Sequence, residues 1–222
     1  MEKKELYDFF YKKSANKQVV YQKTLASFNL LKLKAQAAIS NLQDVVASSE
    51  QSLDLKYKEV GALEAELRFA GDALALQMHS NVFAFPNEHF VNKLPSVAAD
   101  SSKGYVGMIL VYNFLADSLR YNRLADVGYL LGRIFINAEG KFFVNGQRQF
   151  SFLFQDFENQ IFDEDSADKI IQLAMKQAVD FDLYVPPYDA VKEISLHQKS
   201  IQQGNTAFKT GKRVGFDYDF SE

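Results

Sequence analysis

The chain contains no cysteine among its 222 residues. Disulfide bonds, thiolate nucleophiles and zinc–thiolate sites are therefore excluded, because each of them requires a cysteine sulfur. Disulfides form and persist mainly in oxidising compartments, so their absence favours a reducing one. The sequence thus predicts a cytoplasmic protein.

Long apolar runs are absent as well, and no stretch approaches the ~18 apolar residues that indicate a membrane-spanning helix. The longest apolar passage, VGMILVYNFLADSL, contains Asn113 and Asp117 and is interpreted as a buried helix. The first residues, MEKKELYDFFYKK, interleave charges with aromatic side chains and have no apolar centre, so they do not form a secretory signal. No association with a membrane is expected.

The chain also lacks a large excess of either charge, because its 25 basic and 28 acidic residues give a net charge of -3. Nucleic-acid-binding domains usually carry a basic surplus, so this balance argues against that class of protein. Hydrophobic residues make up 47% of the chain and charged residues 24%, which is typical of a globular protein rather than a disordered one. A chain of this length suits one or two domains.

The first 80 residues contain no proline and only two glycines, Gly61 and Gly71. Their apolar residues recur every seven positions, as a and d positions of a coiled coil do, although Lys32 interrupts the first series and Ser49 and Lys56 interrupt the second. The phase continues through VASSEQSL, so we predict one helix from about residue 17 to 78, on the order of 90 Å long. A helical hairpin folded near Ser48 is the alternative. The two series are Leu25, Ile39, Val46, Leu53, Val60, Leu67 and Leu74, and Phe28, Ala35, Leu42, Leu63 and Ala70.

This apolar stripe has two interpretations. It packs against the chain's own core, or it forms a seam for self-association or for a protein partner. A helix of this length extends beyond a domain of ordinary size, which favours a partner or an oligomer.

Proline and glycine divide the rest of the chain. Pro86 and Pro95 lie in a segment rich in Asn and Ser, which indicates a linker with one short extended piece around residues 82–85. Helices are predicted at 104–121 and at about 122–131. The expected organisation is a helical or coiled-coil region at 1–80, a linker at 81–103, an α+β domain at 104–204 and a C-terminal tail at 205–222.

Residues 132–154, GRIFINAEGKFFVNGQRQFSFLF, are predicted to form a three-stranded antiparallel meander. The turn signals NAEG and Asn145-Gly146 separate the strands. They pair Ile136 with Lys141 and Ile134 with Phe143. One predicted face contains Ile134, Ile136, Phe143, Phe150, Phe152 and Phe154, and the other contains Phe135, Phe142, Val144 and Leu153.

Both predicted faces are apolar, whereas an antiparallel sheet with one solvated face alternates between apolar and polar residues. Two C-terminal helices, one capped by Asp165 or Ser166 and one beginning at Tyr188, are expected to cover one face. The second face then requires the long helix or another protein. The tail alternates aromatic and polar residues and could add a further strand or dock elsewhere. The predicted interaction surface comprises Phe135, Phe142, Val144, Leu153, Phe216, Tyr218 and Phe220.

No arrangement of catalytic residues and no cofactor-binding motif is recognisable. The three histidines, His79, His89 and His197, lack the spacing of a helical metal pair, so we predict no metal site. These histidines are interpreted as surface or linker residues. The alternative is that His79 and His89 come together with Glu88.

Asp126 followed by Glu139 and Lys141 has the loose form of a metal-dependent nuclease motif, in which two carboxylates hold Mg²⁺ and a lysine lies near the attacking water. The pattern is short and common, and Glu139 lies in a predicted turn. A divergent Mg²⁺ nuclease is therefore the third hypothesis for function.

Four arginines, Arg120, Arg123, Arg133 and Arg148, lie near the junction of the predicted helices and strands. Together they could line a pocket for a small anionic ligand such as a nucleotide or a phosphate. The alternative is that nearby acidic residues form ion pairs with them. The candidate acidic partners are Asp117, Asp126, Asp156 and Glu158.

The sequence therefore predicts an α+β fold, with a long N-terminal helix or coiled coil followed by helices around a small antiparallel meander. The leading functional hypothesis is a non-enzymatic interaction or assembly protein with no cofactor. Its partner would be another protein or a second copy bound through the N-terminal helix. A sensor that binds an anionic ligand through the arginines is the alternative.

Overall fold

The computed structural model of the chain describes residues 3–48, 50, 52–183, 185–197 and 199. Within these residues a long N-terminal helix packs on a six-stranded antiparallel sheet, together with one C-terminal helix. The strands follow one another across the sheet in chain order, which makes it a meander. The predicted α+β class, the long N-terminal helix and an antiparallel meander are confirmed.

The elements have the following bounds. The helices are α1 (Lys3–Ala47), α2 (Pro95–Ala99), α3 (Ala116–Arg120), α4 (Glu164–Val179) and α5 (Tyr188–Val191). The strands are β1 (Leu55–Gly61), β2 (Glu64–Phe69), β3 (Asp72–Met78), β4 (Val106–Leu115), β5 (Tyr129–Asn137) and β6 (Phe142–Gly146). Single 3₁₀ turns lie at Phe90–Lys93, Ser101–Gly104 and Arg148–Ser151.

The predicted helix at 17–78 is wrong beyond Ala47, where α1 ends. The residues after it form the hairpins β1–β2 and β2–β3. The hairpin alternative placed the break correctly near Ser48, but strands follow the break instead of a second helix. Gly71 lies in the β2–β3 turn beside Ala70, whose φ of 58° is left-handed. Such a turn is typical of a two-residue β-hairpin loop.

The helices predicted at 104–121 and 122–131 are also wrong. Residues 106–115 form β4, and only the short α3 follows it. Asn122, with a φ of 49°, begins a loop that leads into β5. Strand β4 is central, with β3 on one side and β5 on the other, and its long apolar run is typical of a strand that is covered on both faces.

The β5–β6 hairpin has a different register from the predicted one. Ile136 pairs with Phe142, and Ile134 pairs with Val144, which is a shift of one residue on β6. Because side chains alternate between faces along a strand, a one-residue shift exchanges the two faces of β6. The face with Ile134 and Ile136 therefore also contains Phe142 and Val144, while Phe143 lies with Phe135 on the opposite face.

The predicted third strand of this meander is absent from the described residues. Asn145 and Gly146 still belong to β6 and pair with β5, so they form no hairpin turn. The chain then makes the 3₁₀ turn Arg148–Ser151 and runs along the outer edge of β6. Phe150 and Phe154 from this segment are buried in the main core.

The main core lies between the sheet and the two helices α1 and α4. Phe28 is completely buried, and burial of such a side chain stabilises the fold by about 1.5–3 kcal/mol. The helix approaches β4 closely at Gly107, where a Cβ atom would lie 2.1 Å from Oγ1 of Thr24. The buried residues of α1 are Val20, Thr24, Ser27, Phe28, Leu31, Lys32, Ala35 and Ile39.

Lys32, the residue that interrupts the seven-residue series, lies at the rim of this core. Its Nζ is 3.0 Å from Oε2 of Glu59 on β1 and 5.6 Å from the centre of the Phe28 ring. The hydroxyl of Tyr57 donates to the same carboxylate. Burial, followed by the charge of Glu59, raises the pKa of Tyr57 to about 12.

The second face of the sheet is covered by the segment that was predicted to be a linker. Phe135 and Phe143 pack there under Val91 and Val97, together with Phe157. The expected extended piece is present, since residue 83 forms an isolated antiparallel bridge with residue 106. The residues predicted as the region 1–80 and the domain 104–204 share this one sheet, because β3 pairs with β4.

Helix α4 begins one residue after Asp163, whose carboxylate accepts a hydrogen bond from the backbone N–H of Ser166. The predicted caps, Asp165 and Ser166, lie inside the helix instead. The second predicted C-terminal helix begins at Tyr188 as expected, but α5 ends at Val191. The proposed tail at 205–222 lies outside the described residues.

Candidate functional site

The N-terminal part of α1 extends beyond the body of the protein. Every described side chain from residue 4 to residue 14 is exposed. Just after this stretch the helix contacts the body through the hydrogen bond from Asn16 Nδ2 to the carbonyl of Ser102, at 3.0 Å, and through Lys17, which lies over the Tyr105 ring. Eleven helical residues correspond to about 17 Å, or three turns, of projecting helix.

Four large apolar side chains are exposed on this projecting segment, residues 4–14. Tyr7 and Tyr11 are one turn apart, as are Leu6 and Phe10, so the four form two adjacent rows on the helix. Their exposed fractions are 38% for Leu6, 79% for Tyr7, 60% for Phe10 and 73% for Tyr11. The seven-residue series began later in the chain and missed this surface. The interleaving of aromatic and charged residues in MEKKELYDFFYKK was the available signal.

The residues of the predicted interaction surface lie in three different places. Phe135, Phe142 and Val144 are buried by the chain's own residues, because α1, α4 and the segment 81–104 cover both faces. Leu153 is half-exposed beside β6. Phe216, Tyr218 and Phe220 lie outside the described residues.

Arg120 and Arg123 each contact acidic residues close to them. Arg120 binds the carboxylates of Asp54 and Asp117, and the hydrogen bond that it donates to Asp54 raises its pKa. Arg123 lies 3.9 Å from Oδ2 of Asp126, and both side chains are largely buried. Asp117 and Asp126 are therefore ion-pair partners, as the alternative interpretation of the arginines expected.

Arg133 and Arg148 have other partners. The guanidinium of Arg133 donates two hydrogen bonds to Oδ1 of Asn145 on the neighbouring strand. Arg148 lies 3.9 Å from Asp180 and over the ring of Phe181. The predicted acidic partners contact other groups. Asp156 accepts a hydrogen bond from Asn159. Glu158 binds Ser96 and lies near Lys141.

The structure does not bring the four arginines into one site. Arg120 contacts the residue that precedes β1, and Arg148 follows β6, at the opposite edge of the sheet. Five strand spacings separate these edges, which is about 24 Å. An anionic ligand of nucleotide size could not contact both.

The residues of the nuclease motif are also separated. Asp126 precedes β5 and Glu139 follows it, and this nine-residue strand spans about 30 Å. Asp126 accepts a hydrogen bond from the hydroxyl of Ser118 at 2.6 Å. A shared magnesium ion would need both carboxylates within about 2.1 Å. No group of three or more acidic or histidine side chains suited to a metal occurs in the described part of the chain.

Glu139 and Lys141 instead form an ion-pair network that holds the segment 81–104 to the sheet. Glu139 lies 2.7 Å from Lys103 and 3.4 Å from Lys141. Hydrogen bonding to Lys103 lowers the pKa of Glu139. At the other end of the network Glu158 accepts hydrogen bonds from the hydroxyl and the backbone N–H of Ser96, which lower its pKa.

Two of the three histidines, His79 and His89, have structural partners. His89 Nδ1 accepts a hydrogen bond from the backbone N–H of Val91 and caps the 3₁₀ turn, while its ring stacks on Phe85. Burial, followed by the charge of Arg133, lowers the pKa of His89. His79 Nδ1 accepts from a backbone N–H two residues later. These contacts orient the segment 81–104, and within the described ranges no histidine belongs to a group of three or more side chains suited to a metal.

One depression, of about 470 Å³, lies where the β1–β2 turn meets the end of β3. Its lining offers Glu64, Gln77 and His79 as polar side chains, with Leu63, Met78 and Leu110 as apolar ones. Glu64 accepts a hydrogen bond from Gln77, so these two groups hold each other. The arrangement contains no nucleophile with an adjacent base.

Comparison with protein-family models, with curated proteins and with solved structures gives no match for the chain. Among the helices of the described residues, none is both long and apolar enough to cross a membrane.

Proposed function

We propose that the protein is a non-enzymatic assembly protein whose copies associate through the projecting segment of α1, residues 4–14. The observation that carries this proposal is the exposure of Leu6, Tyr7, Phe10 and Tyr11 on the N-terminal turns of α1. Large aromatic residues at the tip of a helix are typical of protein interfaces.

The stability of the extension supports the same proposal. Helices of fewer than about 12–15 residues are only marginally stable in water, and in proteins their stability comes mainly from tertiary packing. The described side chains of the projecting segment are all exposed, so burial stabilises it little. A partner that buries its apolar rows would supply the missing stabilisation.

Its charge distribution supports a second copy as that partner. Glu5 precedes the aromatic residues, whereas Lys12 and Lys13 follow them. In an antiparallel pair of segments related by a two-fold axis, Glu5 of each copy lies near the lysines of the other. The aromatic rows meet in the middle. Lys4, which lies beside Glu5, offsets part of this charge pairing, so the apolar surface is the main self-complementary feature of the segment.

Sedimentation velocity over a range of protein concentrations tests the proposal. The variant Tyr7→Ser/Phe10→Ser is expected to sediment as a monomer at concentrations where the native chain associates. The matched control, Phe152→Ser/Tyr188→Ser, removes two aromatic residues of similar exposure elsewhere and is expected to associate as the native chain does. Equal behaviour of the two variants would contradict the assignment of the interface to α1.

A further inference from the structure

The two edges of the sheet differ. At β6 the backbone N–H groups of Phe142 and Val144 donate to the carbonyls of Gln160 and Phe154, so the following segment pairs with this edge. Strand β1, at the opposite edge, has β2 as its only strand partner among the described residues. The carbonyl of Leu55 on its outer edge accepts a hydrogen bond from Gln43, but no described strand pairs with this edge, so it can accept an additional strand.

The register shows which backbone groups face outward. Leu55 stands opposite Phe69, and the N–H of Ala70 donates to the carbonyl of Asp54 at 2.9 Å. Leu55 and Phe69 are consequently a non-hydrogen-bonded pair, and the pairing alternates along the strand. The residues whose N–H and C=O point away from β2 are Leu55, Tyr57 and Glu59.

The side chains of β1 alternate between two environments. Lys56 and Lys58 are exposed on the face opposite α1, whereas Leu55 and Tyr57 are partly buried on the face that α1 covers. A strand that complements β1 would carry acidic residues on the face that contains the lysines and apolar residues on the face that α1 covers. Gln43 of α1 already donates to the carbonyl of Leu55, at one end of this edge.

The chain contains one segment with this alternation outside its described residues. Residues 214–220 read VGFDYDF, which is seven residues, the same length as β1. In an extended conformation Asp217 and Asp219 would lie on one side of this segment. Phe216, Tyr218 and Phe220 would lie on the other. The pattern has a period of two, so it complements β1 for either direction of the added strand.

We propose that residues 214–220 bind the outer edge of β1 in the same chain and form a seventh strand. Asp217 and Asp219 then lie beside Lys56 and Lys58. The aromatic residues extend the apolar face under α1. Backbone hydrogen bonds provide the attachment, and the alternate side chains provide the specificity, as in other cases of strand addition.

The length of the chain permits this attachment within one molecule. Fourteen residues lie between Lys199, the last described residue, and Val214, and the fifteen residue steps of such an extended chain span about 50 Å. The whole sheet is only about 24 Å wide. A tethered segment also has a high effective concentration at its target.

A second copy of β1 fits this edge less well than the tail does. Two β1 strands side by side would bring lysines close to lysines, and like charges on neighbouring strands repel each other. Lysines on an edge strand are a common protection against such pairing. The acidic tail converts the same lysines into attractive partners.

Amide hydrogen exchange of the full chain, followed by NMR, tests this proposal. In the native chain the outward N–H groups of Tyr57 and Glu59 are expected to exchange at least tenfold more slowly than in Asp217→Lys/Asp219→Lys. The amides of Lys56 and Lys58, which pair with β2, are an internal reference and should stay protected in both proteins.

Charge exchange provides the rescue. Adding Lys56→Asp/Lys58→Asp to the tail variant restores opposite charges and should restore slow exchange at Tyr57 and Glu59. The matched control, Asp182→Lys/Glu193→Lys, changes the net charge equally at exposed positions and should exchange as the native chain does. Fast exchange of Tyr57 and Glu59 in the native chain would overturn the proposal. Protection that increases with protein concentration would assign the added strand to another copy and would overturn the same-chain attachment.

Discussion

Replacement of Phe143 by alanine tests whether the segment 81–104 covers the second face of the sheet. The ring is only 2% exposed, and its centre lies 5.7, 5.2, 5.1 and 5.4 Å from the rings of Phe85, Phe90, Phe135 and Phe157. Removal of a buried phenylalanine side chain costs about 3–5 kcal/mol. We expect this loss in the free energy of unfolding.

Urea denaturation measures the loss. A domain with a stability of about 5–15 kcal/mol tolerates a change of this size, so the variant should still unfold cooperatively. The control is Phe152→Ala, which removes a ring that is 63% exposed and should change the stability by no more than about 0.5 kcal/mol.

A double-mutant cycle identifies the element that covers Phe143. Phe90 lies on the 3₁₀ turn of the segment 81–104, and its ring meets that of Phe143 edge to face. A coupling energy of about 0.5–1.5 kcal/mol between Phe143→Ala and Phe90→Ala is expected. A coupling energy near zero, or a cost of less than about 1 kcal/mol for Phe143→Ala alone, would refute this cover.

Three further changes test other parts of the fold by urea denaturation. Gln177→Met should increase the stability by about 0.5–1 kcal/mol, because Nε2 of this buried residue has no hydrogen-bond partner among the described residues. Gly107→Ala should cost about 1–3 kcal/mol, because its Cβ would overlap Thr24, whereas a Cβ at Gly61 meets nothing within 4 Å and Gly61→Ala should cost less. The pKa of Glu158 is lower in the folded state than its ordinary value, so its ionised carboxylate stabilises the fold at pH values above that ordinary value. This stabilisation is lost as the pH falls through the folded-state pKa. The urea midpoint should therefore decrease less between about pH 5 and pH 3 in Glu158→Gln than in the native chain.

The helix from about residue 17 to Ala47 was predictable because local composition and apolar spacing agree there, whereas α1 already begins at Lys3, before the seven-residue series starts. The error began where the spacing continued by coincidence through Leu53, Val60 and Leu67. A seven-residue series samples each short strand only once or twice, so it cannot distinguish helix from strand there. The alternation of EAELRF in β2, with every second residue buried, was the more specific signal.

Strand β4 was mistaken for a helix for a different reason. Its residues are apolar without alternation, and such a run fits a buried helix as well as a central strand. The sheet decides the outcome, because β3 and β5 both pair with β4 through contacts that are distant in sequence. Local propensity carries no information about these partners.

The apolar character of both sheet faces was predictable, whereas the element that covers the second face was not. Pro86 and Pro95 indicated a linker, and the segment indeed lacks long regular elements. It nevertheless packs Val91 and Val97 against the sheet. The shift of one residue between Ile134 and its partner on β6 also reversed the predicted faces of that strand, because turn geometry fixes the register and the sequence suggested the wrong turn.

The arginines illustrate why a cluster in sequence need not form a site. Arg120 and Arg123 are close in sequence to Arg133, but Arg120 binds Asp54 just before β1, whereas Arg133 lies within β5 and binds Asn145 on β6. Each guanidinium contacts an acidic residue or an amide near it. The ion-pair interpretation required only local contacts, whereas a ligand pocket required a particular topology.

The absolute mass of the native chain in solution, measured by light scattering on a sizing column, tests the proposed assembly most directly. Association through the projecting segment of α1 predicts a mass of at least twice the 25.2 kDa of one chain, with an elongated hydrodynamic radius. A mass of 25.2 kDa at every concentration would contradict it.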